Sequence, residues 1–573
     1  MKNVIAKYSQ KLVKMIGRLP LVNNFRLKKS ITLALTTNWV GGFLVVLISW
    51  GMYFAYIWPQ MLYFDESGLQ AGWINVWGDW AAHITYANVF ALKPVSLWLS
   101  SHPIHINSLF TYPFLADAIS GLLIRAGLDL VSAFIVPSIV ITMGFLGAVY
   151  GLYFSLLKRG SRAVIALTLF LLNGGWGVYW LVKDWLAEKS LEAIAYPKFE
   201  ATHISDQNIE WISIITSEMI PQRSFLLGFP ITILVVWQLH KWWRNDFKNV
   251  SWKRLLALGS ISGTLLFIHA HSFIALFVIC VVFSLWKWRH WRRWLGYALA
   301  TALIALPIAW FLHGENLGGF IRWLPGWYAN SAENDLNLLY FWWINYGLFL
   351  PIALWGTWRY RFYRQPLVIS GWVLFVAVNL IQFQPHIWDN TKILTWAHLF
   401  LVIPVATTLF NWWQWRRIGK YVTVLVFLLV TASGWLDTWR LTRVDKNSYE
   451  MWSYEDFKLA NTLNSVSSPG DIALTGQNHN NWATALTHVQ ALMGFPGWMW
   501  TYGVTDPQLA EEISQMYRGS VEAEQLLEKY HVKYVIIGSP ERHDLKANQA
   551  WYEQNYPILI QSVDYTVFQI TAD

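Results

Sequence analysis

Long apolar runs alternate with short basic clusters along this chain, and that alternation is its strongest structural signal. Several runs approach the ~20 residues that a membrane-spanning helix needs. The first, Ile31 to Pro59, carries no charge and is too long for a signal-peptide core. It follows a tail, residues 1–30, with eight Lys/Arg and no acid. The pattern predicts a first span with the tail in the cytoplasm.

Lys and Arg concentrate in the cytoplasmic loops of membrane proteins. Here they cluster at 1–30, at Lys158/Arg159/Arg162, across 241–254 and 287–293, at Arg359/Arg361/Arg364, and at Arg416/Arg417/Lys420. Placing these inside puts 59–129 (in whole or part), 183–223, 313–337, the stretch around 382–392 and everything after about 441 outside. The acids provide an independent check. Residues 1–440 hold 18 Asp/Glu, of which only Asp246 falls in an inside loop. Residues 255–286 form a 32-residue run free of Lys, Arg, Asp and Glu between two basic clusters. Charges on the same side imply an even number of crossings, so a helical hairpin is expected, turning near "FIHAHSF" (267–273). The segment 109–127 preserves parity only if 81–99 crosses as its partner. The expectation is 11–13 spans, N-terminus in and C-terminus out.

After residue 441 the pattern changes. "SYEDFKLANTLNSV", "DPQLAEEISQMYRG" and "SVEAEQLLEKYH" have helical periodicity, the second with Asp506 as cap and Pro507 at the first helical position. "GDIALTG", "YHVKYVIIG" and "DYTVFQI" read as strands. The chain therefore divides into a basic tail (1–30), a membrane domain (31–440) with a large first outer loop (59–108), and an extracytoplasmic α/β domain (441–573). The glycines of that domain form no dinucleotide fingerprint.

Composition agrees. Hydrophobic residues make up 55% and charged residues 13%, the latter about half of the roughly 25% usual in globular proteins. The single cysteine, Cys280, excludes a disulfide framework and a Cys-based metal cluster. Trp is abundant, at 39 residues, and interfacial belts account for many of them. Nothing points to nucleic acid.

The chemistry-bearing residues gather on the predicted outer side. The first outer loop offers Asp65, Glu66 and Asp79, and His83 follows Asp79 at i+4, on the same face of a helix. A carboxylate beside an imidazole can act as a general base or bind a metal. "SSHPIHIN" adds His102 and His105, and the expected hairpin turn adds His269 and His271. Arg223 stands where an outer loop enters a membrane helix, placed either to bind phosphate through its planar fork of donors or to anchor the helix at the interface. Lys392, in "QPHIWDNTK", is placed similarly, and Asp389 can pair with it.

These motifs, "FDE" and "GDWAAH" in the first loop, "YPFLADAISGLLIRAGL", "PQRSFLLGFP", "HAHSF" and "QPHIWDNTK" at helix ends, and a terminal "YVIIGSPER" domain, resemble the GT-C class of membrane glycosyltransferases. The resemblance implies transfer of a sugar from a polyprenyl-phosphate donor to an acceptor hydroxyl at the outer face. A first-loop carboxylate would be the base, Asp79 or else Asp65 or Glu66. Arg223 and Lys392 would hold the phosphate, with His83, His269, His271 and Asp389 orienting substrate. The segment "SSHPIHINSLFTYPF" departs from the protein-mannosyltransferase pattern, which leaves the donor sugar and the acceptor (glycan, lipid or protein) open. Some members of the class use a divalent metal and others do not, and with no DxD motif here the metal and any cofactor stay unassigned. Two other readings share this face: a flippase or transporter of lipid-linked saccharides, and a polysaccharide polymerase or ligase. Transporters favour internal repeats and midplane polar groups, and neither is seen in the sequence.

Overall fold

A computed structural model describes residues 38–189, 192–313, 321–330, 335–501 and 503–570. The basic tail, the start of the run at Ile31 and part of 313–337 lie outside the described residues. Six helices are long and apolar enough to cross a membrane. They are α1 (Trp39–Gln60), α4 (Leu130–Leu157), α6 (Arg223–Arg244), α9 (Trp288–Leu312), α13 (Ile387–Trp413) and α14 (Arg417–Leu441). Leu338–Tyr346 (α10) and Phe349–Arg359 (α11) meet at 96° and together make a seventh. Three more apolar helices are shorter: α5 (Gly160–Leu172), α8 (Ala270–Trp286) and α12 (Pro366–Val378). The distance from the expected 11–13 is thus one of length, because several runs are split into short helices. The 255–286 run breaks where the hairpin turn was expected. Helix α7 (Trp252–Thr264) ends in a turn at Leu265–Phe267, and His269 opens α8.

Helices α2 (Ile74–Leu92) and α3 (Leu115–Arg125) cover the two segments whose crossing was in question. Eleven residues of α3 rise only about 16 Å, half a hydrocarbon core. Helix α2 is buried against protein along most of its length. The two pack closely because Gly121 has no side chain: a Cβ there would meet the Ala87 carbonyl.

Helix α13 is the axis of the bundle, with 89% of its apolar window buried. Its helical part, Thr391–Trp413, has 23 residues, about 35 Å at 1.5 Å per residue. It begins beside Asp389 and ends just before Arg416 and Arg417. Helix α6 likewise begins at Arg223 and ends with Lys241 and Arg244, and α8 begins beside His269 and ends before Lys287. The ends that carry the candidate chemistry are therefore opposite to the ends that carry the basic clusters.

The C-terminal part forms a five-stranded sheet from β4 (Ile472–Leu474), β5 (Gln490–Ala491), β6 (Val532–Ile537), β7 (Ile558–Gln561) and β8 (Thr566–Gln569), in the order β7-β8-β6-β4-β5. The three expected strands and three expected helices are present, Asp506 and Pro507 in their expected places. It is not a free-standing unit. Residues Tyr449–Ser453 (β3) complete a three-stranded sheet with β1 (Leu62–Phe64) and β2 (Gly68–Ala71) of the first loop. Asn88 donates to the Ala485 carbonyl at 2.6 Å, and His479 stacks on Trp77 at 4.4 Å between ring centres. Gly68 permits the β2–β3 pairing: it has φ +154°, and a Cβ would meet the Trp452 carbonyl. Gly68→Ala is expected to cost about 1–3 kcal/mol, as other overpacked sites do. It should lower the thermal midpoint of the purified protein in detergent, and an unchanged midpoint would mean that this strand pairing contributes nothing to stability.

Candidate active site

A cavity of about 810 Å³ opens where the N-terminal ends of α6, α8 and α13 meet α2. Asp79 and His83 line it from α2, Gln222 and Ser224 from the start of α6, His269 and His271 from the start of α8, and Asp389 and Lys392 from the start of α13. The loop 183–223 adds Glu200, His203 and Glu210, and the C-terminal part adds Trp498 and Met499. Each helix N-terminus presents unsatisfied N–H groups and the positive end of its macrodipole, which favours anions. Three such ends face one space.

Asp79 accepts a hydrogen bond from Gln222 Nε2 at 2.6 Å. Burial raises its carboxyl above the usual carboxylate range. The charges of His83, Lys392 and His479 oppose that shift and Asp389 adds to it. His83 faces the same way as Asp79, as the i+4 spacing predicted, but its Nδ1 bonds to Asp117 Oδ2 at 2.9 Å. Lys392 Nζ lies 3.2 Å from Asp389 Oδ1, and His386 Nδ1 is 3.7 Å from the same oxygen. His269 Nδ1 bonds to Ser272 Oγ at 2.7 Å, while its Nε2 has no partner among the described residues. The His269 and His271 rings lie 5.3 Å apart, so the turn brings together two imidazoles that one continuous helix would separate. His102 lines the cavity and burial pushes its imidazole down to about 3. His105 instead faces Asp506 at 3.4 Å.

Three expectations are corrected. Arg223 is not among the cavity-lining residues. Its Nε donates to Asp117 Oδ1 at 3.1 Å, its Nη2 donates to the Ala116 carbonyl and to Ser120 Oγ, and it stacks on Phe134 at 4.1 Å. Asp117, fully buried in an apolar helix, needs that cation. Asp65 and Glu66 also lie away from the cavity, exposed in the β1–β2 turn. Asp65 closes that turn by accepting from the Ser67 and Gly68 N–H groups, Ser67 Oγ and Gln70 Nε2, and these bonds lower its carboxyl.

Sequence reasoning missed four carboxylates. Asp117 had a visible signal, an acid inside an apolar run. Glu200 and Glu210 lie in the predicted outer loop, but nothing in the sequence singles them out. Glu210 Oε2 is 3.1 Å from His203 Nε2. Burial opposes charge on His203, yet the Glu210 carboxylate outweighs it and raises the imidazole. Burial also raises Glu200. Glu218 sits in a π-helical turn, Ile214–Met219, just before α6. It is fully buried, its oxygens have no hydrogen-bond partner among the described residues, and burial pushes its carboxyl up to about 8. No group of three or more His, Cys, Asp or Glu among the described residues is placed to hold a metal ion.

The Asp117–Arg223 pair offers a direct test. Removing one member of a buried ion pair costs about 3–5 kcal/mol, whereas replacing both with apolar residues is often neutral. Arg223→Met and Asp117→Leu should each lower the thermal midpoint, and the double variant should recover most of the loss. A double variant as unstable as the sum of the singles would show that the pair does more than neutralise itself.

No family model matches the chain, and neither does any curated protein. Among solved structures, the oligosaccharyltransferase of Archaeoglobus fulgidus tethered to an acceptor peptide aligns over 90% of this chain and 72% of its own, at 12% identity and a TM-score of 0.45. Its apo form aligns over 87% and 69%, at 13% identity and 0.45. The same enzyme with an inhibitory peptide and a dolichol-phosphate aligns over 87% and 69%, at 12% and 0.42.

Proposed function

We propose that this chain is a membrane glycosyltransferase that moves a sugar from a polyprenyl-phosphate-linked donor to an acceptor hydroxyl. The observation that carries this reading is that Asp79 and Lys392 line one cavity onto which three helix N-termini open. Asp79 takes the hydroxyl proton. The alkoxide attacks the anomeric carbon from the face opposite the phosphate, the bond from that carbon to the phosphate oxygen breaks, and configuration inverts. Charge then grows on the departing phosphate, where the Lys392 ammonium and the helix ends stabilise it. His269 offers its bare Nε2 at the same end. Asp389 orients Lys392 and is not itself the base. The raised carboxyl of Asp79 brings it towards the range in which a general base works at neutral pH.

The basic clusters at the opposite helix ends support an outer-face position for the cavity in the plasma membrane. A cysteine at Val563, 98% exposed in the C-terminal part, should react with an impermeant thiol reagent in intact cells of a Cys280→Ala background. Labelling only after lysis would invert this orientation. Asp79→Asn in reconstituted vesicles should slow transfer from a lipid-phosphate sugar by about 10²–10⁴-fold, the usual worth of a general base, while donor binding persists. Transfer at the wild-type rate would remove Asp79 from the chemistry.

A further inference from the structure

Glu218 has no part in the reaction as written, yet its surroundings are unusual. A buried carboxyl without a hydrogen bond is costly, by about 2–7 kcal/mol for a neutral polar group and more when charged. π-helical turns are rare and recur at functional sites. Ser217 and Gln222, on either side of Glu218 in sequence, line the cavity, and Gln222 is the residue that holds Asp79.

The charged groups around this turn include Glu200, beside Thr216 of the turn itself, and several that are engaged elsewhere. On α6, Arg223 is held by Asp117. On α14, Asp437 accepts from the Ala201 and Thr202 N–H groups and from Thr202 Oγ1, and Arg440 donates to the Pro197 carbonyl. Helix α5 offers only Arg162, which stacks on Phe410. From α2 come Asp79, held by Gln222, and His83, held by Asp117. His269 and His271 on α8 face Lys392 and Asp389. The cation that acts on Glu218 is Lys392, and Asp389 and Asp79 add repulsion. Lys392 is in contact with Asp389, lines the same cavity as Ser217 of the turn, and is within electrostatic range of Glu218.

We propose that Glu218 is a positioning residue for the anion site: as a neutral acid it leaves the Lys392 ammonium free for a phosphodiester, and when ionised it competes with that anion for the same charge. This rests on the reading of Lys392 as the phosphate-binding cation. Anion affinity then falls as pH rises through the value near 8 to which burial pushes Glu218, since the proton that keeps it neutral is lost there. An acid at this position admits the anionic donor under one condition and repels it under the other, whereas an amide would admit it under both.

The probe is a short-chain prenyl methyl phosphodiester, whose single charge does not titrate in this range, bound to the purified full chain in detergent. Wild-type affinity should weaken by about tenfold or more between pH well below and well above 8, equivalent to one unit of coupling between two ionisations. Glu218→Gln should bind as tightly as wild type at the lower pH and keep that affinity at the higher one. Glu218→Leu, also neutral, should behave the same way. Lys392→Met should bind weakly at both. A neutral variant that retains the wild-type slope, or a wild type that binds without any slope, overturns the role of Glu218 and leaves the phosphate reading standing. A wild type that binds no phosphodiester at any pH overturns both.

Discussion

The cavity depends on one carboxylate shut away from solvent. Asp117 is fully buried, and a charge there persists only if other groups come to it. Two do. His83 arrives from α2 and Arg223 from α6, so one side chain on α3 joins three elements. The arrangement leaves little room for error, because moving any one of the helices exposes a charge to apolar surroundings. It also explains why Arg223, an attractive phosphate ligand by position, is occupied.

The charges near the cavity consequently fall into two kinds. Some neutralise each other: Asp117 with Arg223 inside the wall, and Glu210 with His203 at its surface. Others reach the open space with part of their bonding capacity unused: Asp79, Lys392 and His269. The second group is the one on which the proposed proton acceptor and anion site rest. The macrodipoles of α6, α8 and α13 add a fixed field of the same sign as Lys392, and because the ends are already in place no reorganisation is needed when charge develops.

Much of the architecture was legible from pattern. Charge alternation located most of the apolar elements, the break at "FIHAHSF" and the α/β character of the C-terminal part, since these follow from local periodicity and caps. Asp79, Lys392 and the two histidines of the turn were legible for a related reason: they are polar residues at the ends of apolar runs. What remained hidden required knowledge of partners distant in sequence. Whether Arg223 meets a substrate or Asp117 is decided across 106 positions, and no local pattern encodes that choice. The "FDE" acids were candidates because they share the first outer loop with Asp79, but β-hairpin geometry turns them out to solvent. The lengths of the apolar helices were hidden for a similar reason. Hydropathy marks an apolar segment without saying whether it runs straight through or stops halfway, as α3 does.

The strand Tyr449–Ser453 pairs with residues made some 380 positions earlier, and Trp498 and Met499, which close the cavity, come later still. During synthesis the first loop must wait, its sheet one strand short, until the strand that follows the bundle has been made. The cavity therefore acquires its C-terminal lining last. A chain truncated within the bundle would hold Asp79 and Lys392 but lack the wall that Trp498 and Met499 supply.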